Sequence, residues 1–197
     1  MSPFFYSGML WALWVVSWLI AALWSRRTTA RTPSRARILD LAVTMAGGLL
    51  LAYASRMRWL SMEGVAAPFL WRLPLAVDWA LTGLVAVGLA FTWWARLTLG
   101  DLWSSNVVRK EAHTVVRAGP YRLVRHPIYT GMILAAFALG AQTSLLAGLA
   151  GALLMALGFG IKARLEERFL SAELGEGAYA DYRRTTPMLV PFWPARR

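Results

Sequence analysis

The sequence predicts an all-α protein, a polytopic transmembrane bundle of about five helices whose last two form a tight hairpin. Hydrophobic residues make up 58% of the 197-residue chain. Its mean hydropathy is +0.48, which is too apolar for an ordinary soluble domain of this length. The 21 Lys and Arg residues fall between long apolar runs, as they do at the ends of membrane helices.

Three apolar stretches in the first half of the chain predict membrane helices. A span needs about 20 largely apolar residues, and residues 4–24, 38–54 and 75–95 meet or approach that length. We expect residues 1–95 to form an N-terminal transmembrane anchor of three helices. The first helix is expected to be retained rather than removed as a signal peptide, because no A-x-A-like cleavage site precedes Arg26.

The second half of the chain predicts a helical hairpin between polar segments. Residues 128–141 and 145–161 are apolar and are separated only by a Gln-Thr-Ser sequence, and the first arm is short for a full crossing. Small residues recur at every fourth position, which favours close helix packing in a membrane. They are Ala136, Gly140, Gly148, Ala152, Ala156 and Gly160. We expect residues 96–197 to form a second part with polar, cytoplasmic segments on either side of the hairpin.

The positions of the charged residues predict the orientation of the helices. If the first, third and last basic segments are cytoplasmic, all Lys and Arg except Arg56, Arg58 and Arg72 lie inside, as the positive-inside rule requires. We therefore expect an integral, multi-pass membrane protein with its N-terminus outside and its C-terminus in the cytoplasm. The net charge of +11 then favours contact of the protein with anionic membrane lipids. No nucleic-acid partner is expected, because the basic residues do not share a face with exposed aromatic residues.

The inventory of reactive side chains excludes several kinds of site. The chain has no cysteine, which removes thiolate nucleophiles and cysteine metal sites. His113 and His126 lie 13 residues apart without a His-x-x-x-His or Glu-x-x-His pattern, so we expect no metal. Neither a G-x-S-x-G elbow nor a G-x-G-x-x-G loop occurs.

A basic, turn-rich stretch with the sequence R-H-P-I-Y at residues 125–129 is the strongest candidate for a functional site. Pro127 disfavours a helical conformation at His126 and suits the first position of a helix. We therefore expect His126 at a helix N-terminus, where unpaired amide groups favour an anionic group such as a carboxylate. In the alternative interpretation, Arg122 and Arg125 anchor lipid headgroups and His126 is a simple cap.

A second candidate segment is the predicted helix from Lys162 to a stop near Gly175. Glu166 and Glu167 point about 100° apart on a helix, so we expect only one of them to face a site. Lys162 precedes Glu166 by four residues and offers it an ion pair. Glu167 has no such partner, and an unpaired carboxylate there could accept hydrogen bonds from a ligand such as a ribose diol. Simple solvation of Glu167 is the alternative.

Three motifs over residues 97–191 together carry a family resemblance: R-A-G-P-Y-R-L-V-R-H-P-I-Y-T-G, the two adjacent glutamates, and Y-A-D-Y-R-R-T-T-P-M-L-V-P-F. With them the chain resembles the isoprenylcysteine carboxyl methyltransferase family, and more broadly the integral-membrane methyltransferases that include phospholipid N-methyltransferases. The resemblance implies S-adenosylmethionine as methyl donor, held by the hairpin and by cytoplasmic cofactor-binding segments on either side of it. It also implies a lipophilic small molecule or lipid-linked acceptor, methylated at a carboxylate, amine or thiol. The cofactor contacts that it implies are Asn106, His113, Thr114, Val115, Val116, Tyr121, His126, Pro127, Ile128, Tyr129 and Glu167.

The chain departs from the prenylcysteine enzymes at one position. Four residues before the cofactor glutamate, those enzymes have an arginine associated with the substrate, whereas this chain has Ala163 followed by Arg164. Arg164 is therefore our candidate for binding the substrate. We assign no catalytic residue, because methyl transfer from a sulfonium mainly requires that donor and nucleophile are held together and water is excluded. A sterol-reductase-like enzyme that uses NADPH and a non-catalytic membrane binding protein are the alternatives.

Overall fold

The computed structural model describes residues 2–23, 35–100, 116–174 and 176–193. Within these ranges it consists of six α-helices and one 3-10 turn, without β-strands, so the predicted all-α class is confirmed. The elements are α1 Pro3–Leu23, α2 Arg35–Met62, α3 Leu75–Leu99, the 3-10 turn Gly119–Arg122, α4 Pro127–Gln142, α5 Leu146–Leu174 and α6 Glu176–Thr185.

Four of these helices are long and apolar enough to cross a membrane, namely α1, α2 from Arg37, α3 and α5 as far as Ala172. Helix α4 is apolar but has only 16 residues, as its sequence predicted. Helix α2 continues eight residues beyond its predicted end at Ala54. The apolar run stops there but the helix does not, because the arginines that follow are good helix formers. The large apolar side chains of α1, such as Leu13 and Leu19, are exposed, as expected of a surface that contacts lipid.

The two ends of the bundle are defined by contacts between the connecting segments. At one end, the Leu70 N–H donates to the Ser144 oxygen (3.0 Å) and the Trp71 indole N–H donates to the Ala141 oxygen (3.1 Å). The turn between α4 and α5 therefore lies beside the segment that links α2 and α3. At the other end, α4 begins, α5 ends and α6 follows. We call this second end the site end, because it holds the predicted site residues.

Glycines set the close approach of the helices. A Cβ added at Gly140 in α4 would lie 2.6 Å from the Gly148 oxygen in α5, and one added at Gly47 in α2 would lie 2.7 Å from the Gly151 oxygen in α5. Both distances are too short for a side chain, so the backbones themselves are in contact. The predicted packing role of the small residues therefore holds at Gly148. At Gly160 an added Cβ meets nothing within 4 Å.

A buried polar cluster joins three helices near the end opposite the site. The Gln142 side chain in α4 donates to the Asp78 carboxylate (2.8 Å) and to the Thr82 hydroxyl (3.0 Å) in α3. The Thr82 and Ser7 hydroxyls lie 3.1 Å apart, which brings in α1. Polar side chains within membrane bundles usually pair in this way, so the cluster fixes how α1, α3 and α4 pack.

Candidate functional site

The candidate site is built around the N-terminus of α4. His126 has an extended-side φ of −124° and immediately precedes the helix, with Pro127 in its first position. The first backbone bond of the helix runs from the Thr130 N–H to the His126 oxygen (3.1 Å). The predicted placement of His126 is therefore confirmed. Its side chain is 9% exposed, so it is a buried group rather than a solvated cap.

Glu167, on α5, faces this helix start and is paired with cations. The Arg125 Nε donates to its Oε1 at 2.6 Å, with both side chains 9% exposed. The His126 Nε2 lies 3.3 Å from the same oxygen, and the Arg183 Nε lies 3.7 Å from Oε2. The prediction that Glu167 is unpaired is wrong. Its partners come from distant parts of the chain, where helical spacing cannot reveal them.

Glu166 faces the same site, which corrects the prediction that only one of the two glutamates could do so. The Tyr129 hydroxyl donates to its Oε1 (2.6 Å), and its Oε2 lies 3.5 Å from the His126 Nδ1. The reason is that an imidazole has two nitrogens on different edges of the ring. His126 therefore contacts one carboxylate with each nitrogen, so the two glutamates need not point in the same direction.

These contacts determine the charge on His126. Burial by itself lowers the pKa of His126, but the hydrogen bonds and negative charges of Glu166 and Glu167 outweigh burial and raise the pKa above its ordinary value. The protonated ring can donate from both nitrogens. His126 thus acts as a cationic bridge between the two carboxylates.

Three aromatic rings form a stacked column beside the charged cluster. The Tyr129 ring is stacked on His126 at 5.5 Å with an interplanar angle of 8°, and on Phe159 at 5.1 Å with an angle of 14°. The Lys162 Nζ lies 5.4 Å from the centroid of the Tyr129 ring. The column therefore offers flat faces that attract cations.

The segment after α6 binds along the start of α4 and holds it in place. The backbone N–H groups of Arg125 and His126 donate to the oxygens of Pro187 (2.9 Å) and Met188 (3.1 Å). The Thr130 hydroxyl donates to the oxygen of Leu189 (2.6 Å). We call residues 186–190 the tail. Its structural role was missed in the sequence, although Pro187, which cannot continue a helix, marks its separation from α6.

The Arg125 side chain ties α6 and the tail to the glutamates. Its Nη1 donates to the backbone oxygen of Arg183 (3.1 Å) and also to that of Thr186. The same guanidinium bonds Glu167 through Nε. One buried cation therefore joins the α4 start, α5, α6 and the tail.

Tyr121, one of the predicted cofactor contacts, lies buried in the 3-10 turn against α6. Its backbone oxygen accepts a hydrogen bond from the Tyr182 hydroxyl (2.7 Å). Burial raises the pKa of Tyr182 to about 12, so this hydroxyl stays protonated and remains a donor. Nearby on the surface, Arg117 pairs with Asp181 at 2.8 Å, and its hydrogen bond, together with that of Arg184, lowers the pKa of Asp181. The turn is thus fixed to α6.

The remaining predicted site residues fall into three groups. Pro127 is buried, and Val116 and Ile128 are half-buried close to the cluster in sequence. Arg164, the predicted substrate contact, is exposed on α5, whereas the neighbouring Ala163 is 0% exposed. Four predicted cofactor contacts lie outside the described residues: Asn106, His113, Thr114 and Val115. In the described part of the chain, no group of three or more metal-binding side chains is placed to hold a metal ion.

The fold and this site define a helical membrane protein with a buried cluster of charged and aromatic side chains at one end of its bundle. Residues 81–172 match the model of the isoprenylcysteine carboxyl methyltransferase (ICMT) family. The family resemblance predicted from the sequence is confirmed. The matched residues include most of α3, all of α4 and both glutamates of α5.

Several curated relatives are similar to parts of the chain. The cobalt-zinc-cadmium resistance protein CzcN of Cupriavidus metallidurans is 37% identical over 123 residues, which are 61% of this chain and 51% of that protein. Methanethiol S-methyltransferase 2 of Bradyrhizobium diazoefficiens is 48% identical over 81 residues, 39% of this chain and 29% of that protein. Methanethiol S-methyltransferase of Mycobacterium tuberculosis is 44% identical over 80 residues, with shares of 39% and 30%. The matched region thus spans about half of CzcN and less than a third of the two methyltransferases.

Proposed function

We propose that this chain is an S-adenosylmethionine-dependent methyltransferase that acts in the membrane on a lipophilic small molecule or lipid-linked acceptor. The observation that carries the proposal is the buried cluster of Glu167, Arg125 and His126 at the start of α4. It lies within the segment that matches the methyltransferase family. The methanethiol S-methyltransferases among the relatives support the same reaction class.

The described residues fit the chemical groups of this cofactor. Its carboxylate suits the Ile128 and Tyr129 amides in the first turn of α4, which have no partner within the helix, and the guanidinium of Arg183. Its ammonium and ribose hydroxyls suit the carboxylates of Glu166 and Glu167. Its sulfonium or adenine suits the outer face of Phe159, since the Tyr129 ring is stacked between His126 and Phe159. When bound, S-adenosylmethionine supplies an electrophilic methyl group.

Glu167 can keep its internal partners and still accept a ligand hydroxyl. A carboxylate has about four lone-pair sites. Oε1 takes the short bond from Arg125 and the contact with His126, whereas Oε2 has the longer contact with Arg183 (3.7 Å). Arg125 and His126 therefore keep Glu167 ionised and oriented, and Oε2 is the oxygen that we assign to the ligand.

The acceptor would enter the site from the membrane, because it is proposed to be lipophilic. The relatives named as methyltransferases act on methanethiol by their names, and the family name refers to a carboxyl group. Arg164, although exposed, stays our proposed substrate contact, since its guanidinium can donate hydrogen bonds to polar groups of the substrate. The proposed chemistry therefore covers a carboxylate, an amine or a thiol.

The division into an anchor (residues 1–95) and a catalytic part (residues 96–197) is also a proposal. Helix α3 belongs to both in structural terms: a Cβ added at Gly88 would lie 2.6 Å from the Gly131 oxygen in α4. The last helix of the proposed anchor, α3, therefore packs directly against the proposed catalytic part.

We further propose that the site end faces the cytoplasm, with the N-terminus outside and the C-terminus inside, as the positive-inside rule favours. Because the chain has no cysteine, single cysteines can report the orientation. A membrane-impermeant maleimide should label Ser2→Cys from outside in intact cells and should label Thr185→Cys only after the cells are opened. The reverse pattern would contradict the orientation.

Calorimetry with S-adenosylhomocysteine on purified protein tests the cofactor. We expect wild type to bind and Glu167→Gln to bind at least about tenfold more weakly, since a hydrogen bond to a charged group contributes about 1.5–3 kcal/mol. Glu63→Gln is a matched control at the far end of the bundle, where the Glu63 carboxylate accepts a hydrogen bond from the Trp59 indole N–H. If wild type does not bind, the methyltransferase proposal is wrong.

A parallel titration separates the alternatives. Binding of NADPH in place of S-adenosylhomocysteine would favour the sterol-reductase-like enzyme. Binding of neither cofactor would favour a non-catalytic membrane protein. Binding by wild type that is unchanged in Glu167→Gln would remove only the role of Glu167.

A further inference from the structure

Asp40, in the second turn of α2, is a buried carboxylate at the site end that none of the described interactions uses. Its side chain is 7% exposed, and its Oδ1 is shielded from solvent and accepts no hydrogen bond. A buried, uncompensated carboxylate is costly. Groups of this kind are retained where they bind a ligand or take part in a reaction.

The position of Asp40 places it next to the aromatic column. Its backbone oxygen would lie 3.1 Å from a Cβ added at Gly158, the residue before Phe159. Phe159 stacks on Tyr129. One end of the column thus meets the glutamates through His126, whereas the other end, Phe159, directly follows the glycine that packs against the Asp40 backbone.

The nearest cation described on α5 does not neutralise Asp40. Lys162 lies one turn after Gly158, but its Nζ is placed over the Tyr129 ring, 5.4 Å from the centroid. Among the described residues, the ion pairs closer than 4 Å do not include Asp40. Ala163 contributes no charge, and Arg164 is exposed. Among the described residues of α5, therefore, no cation pairs with Asp40.

We propose that Asp40 binds the methyl acceptor through the hydrogen on its nucleophilic atom, and that this acceptor is a thiol or an amine rather than a carboxylate. The inference rests on the proposed methyltransferase function and narrows its substrate class. A thiol or an ammonium group donates a hydrogen bond to a carboxylate. A carboxylate acceptor would bring a second negative charge against the first in a region of low dielectric.

The proposed step balances without a further reactant. A lone pair on the acceptor sulfur or nitrogen forms the new bond to the methyl carbon, and the electron pair of the breaking carbon–sulfonium bond stays on the donor sulfur. The proton of the acceptor passes to an Asp40 carboxylate oxygen and from there to solvent. An amine that arrives protonated loses its first proton to Asp40 in the same way before it reacts.

The test compares Asp40→Asn with wild type and with Asp78→Asn, which alters a buried aspartate at the other end of the bundle. Calorimetry on protein saturated with S-adenosylhomocysteine measures binding of octanethiol, octylamine and octanoate in the same detergent. We expect wild type to bind the thiol or the amine at least about tenfold more tightly than octanoate. Asp40→Asn should weaken that binding about tenfold or more, and Asp78→Asn should leave it unchanged.

Two further measurements separate acceptor binding from a structural role. Asp40→Asn should bind S-adenosylhomocysteine within about twofold of wild type, because the substitution keeps the size of the side chain. The turnover rate of Asp40→Asn with octanethiol should be lower than that of wild type, and this difference should shrink as the pH rises, because a thiolate needs no proton acceptor. A merely structural residue would not give this pH profile.

Three outcomes would overturn the inference: preference of wild type for octanoate, unchanged acceptor binding in Asp40→Asn, or loss of S-adenosylhomocysteine affinity in Asp40→Asn, which would mark a structural group. Failure of wild type to bind S-adenosylhomocysteine is a different result. It would overturn the proposed function itself.

Discussion

The ion pair between Arg125 and Glu167 is predicted to be a major source of stability at the site end. Its atoms are 2.6 Å apart and both side chains are 9% exposed, and removing one partner of a buried pair costs about 3–5 kcal/mol. Arg125→Met also removes two hydrogen bonds to backbone oxygens. We therefore expect Arg125→Met to lower the free energy of unfolding by about 4 kcal/mol and Glu167→Gln by about 3 kcal/mol.

A double-mutant cycle measures the pair itself. Because each substitution breaks the same contact, the double variant should cost about as much as Arg125→Met alone, which gives a coupling energy of about 3 kcal/mol. The assay is reversible unfolding by sodium dodecyl sulfate in mixed micelles, followed by tryptophan fluorescence. Additive costs would refute the reasoning, because they would mean that the two side chains do not stabilise each other.

The chain contains a matched control for the effect of burial. Arg117 and Asp181 form a pair of similar length, 2.8 Å, but their side chains are 42% and 47% exposed. Exposed pairs contribute about 0.2–1 kcal/mol. The same cycle on this pair should give a coupling energy below about 1 kcal/mol. Equal coupling in both pairs would show that burial is not what makes the first pair strong.

Three more predictions follow from other contacts. Gly88→Ala should destabilise the protein by about 1–3 kcal/mol in the same assay, because the new Cβ would lie 2.6 Å from the α4 backbone. Gly83→Ala is the control and should not destabilise the protein, because a Cβ there meets nothing within 4 Å. Thr130→Val should cost about 1 kcal/mol and speed trypsin cleavage in α6, because it removes a bond to the tail. Wild type should have a higher free energy of unfolding than His126→Asn, and this difference should be largest below pH 6.5. The difference should decline as the pH rises, because the folded-state pKa of His126 is raised above 6.5. A difference that grows with pH would contradict this prediction.

The features that could be predicted from the sequence depend on neighbours along the chain. Long apolar runs specify membrane helices because each span must be apolar along its whole length. Pro127 specifies the start of α4 because its ring constrains the residue before it. Both predictions needed only local chemistry, and both are confirmed.

The errors concern partners that are distant in sequence. Glu167 was predicted to be unpaired because only residues on its own helix were considered, but Arg125 precedes it by 42 residues. The angle of about 100° between Glu166 and Glu167 on the helix was taken to exclude a shared site. The position of His126 between them depends on the packing of α4 against α5, which helical spacing does not specify. Likewise, the tail reaches the α4 start from about 60 residues away.

The attachment of the tail to the start of α4 has a consequence for the order of assembly. Helix α6 and residues 186–190 follow both arms of the hairpin in the chain, so they leave the ribosome after α4 and α5. Until then the Arg125 and His126 amides lack the oxygens of Pro187 and Met188. The start of α4 is therefore fixed only after synthesis of its own helix, and we expect a nascent chain in the membrane to gain affinity for S-adenosylhomocysteine only when the tail arrives.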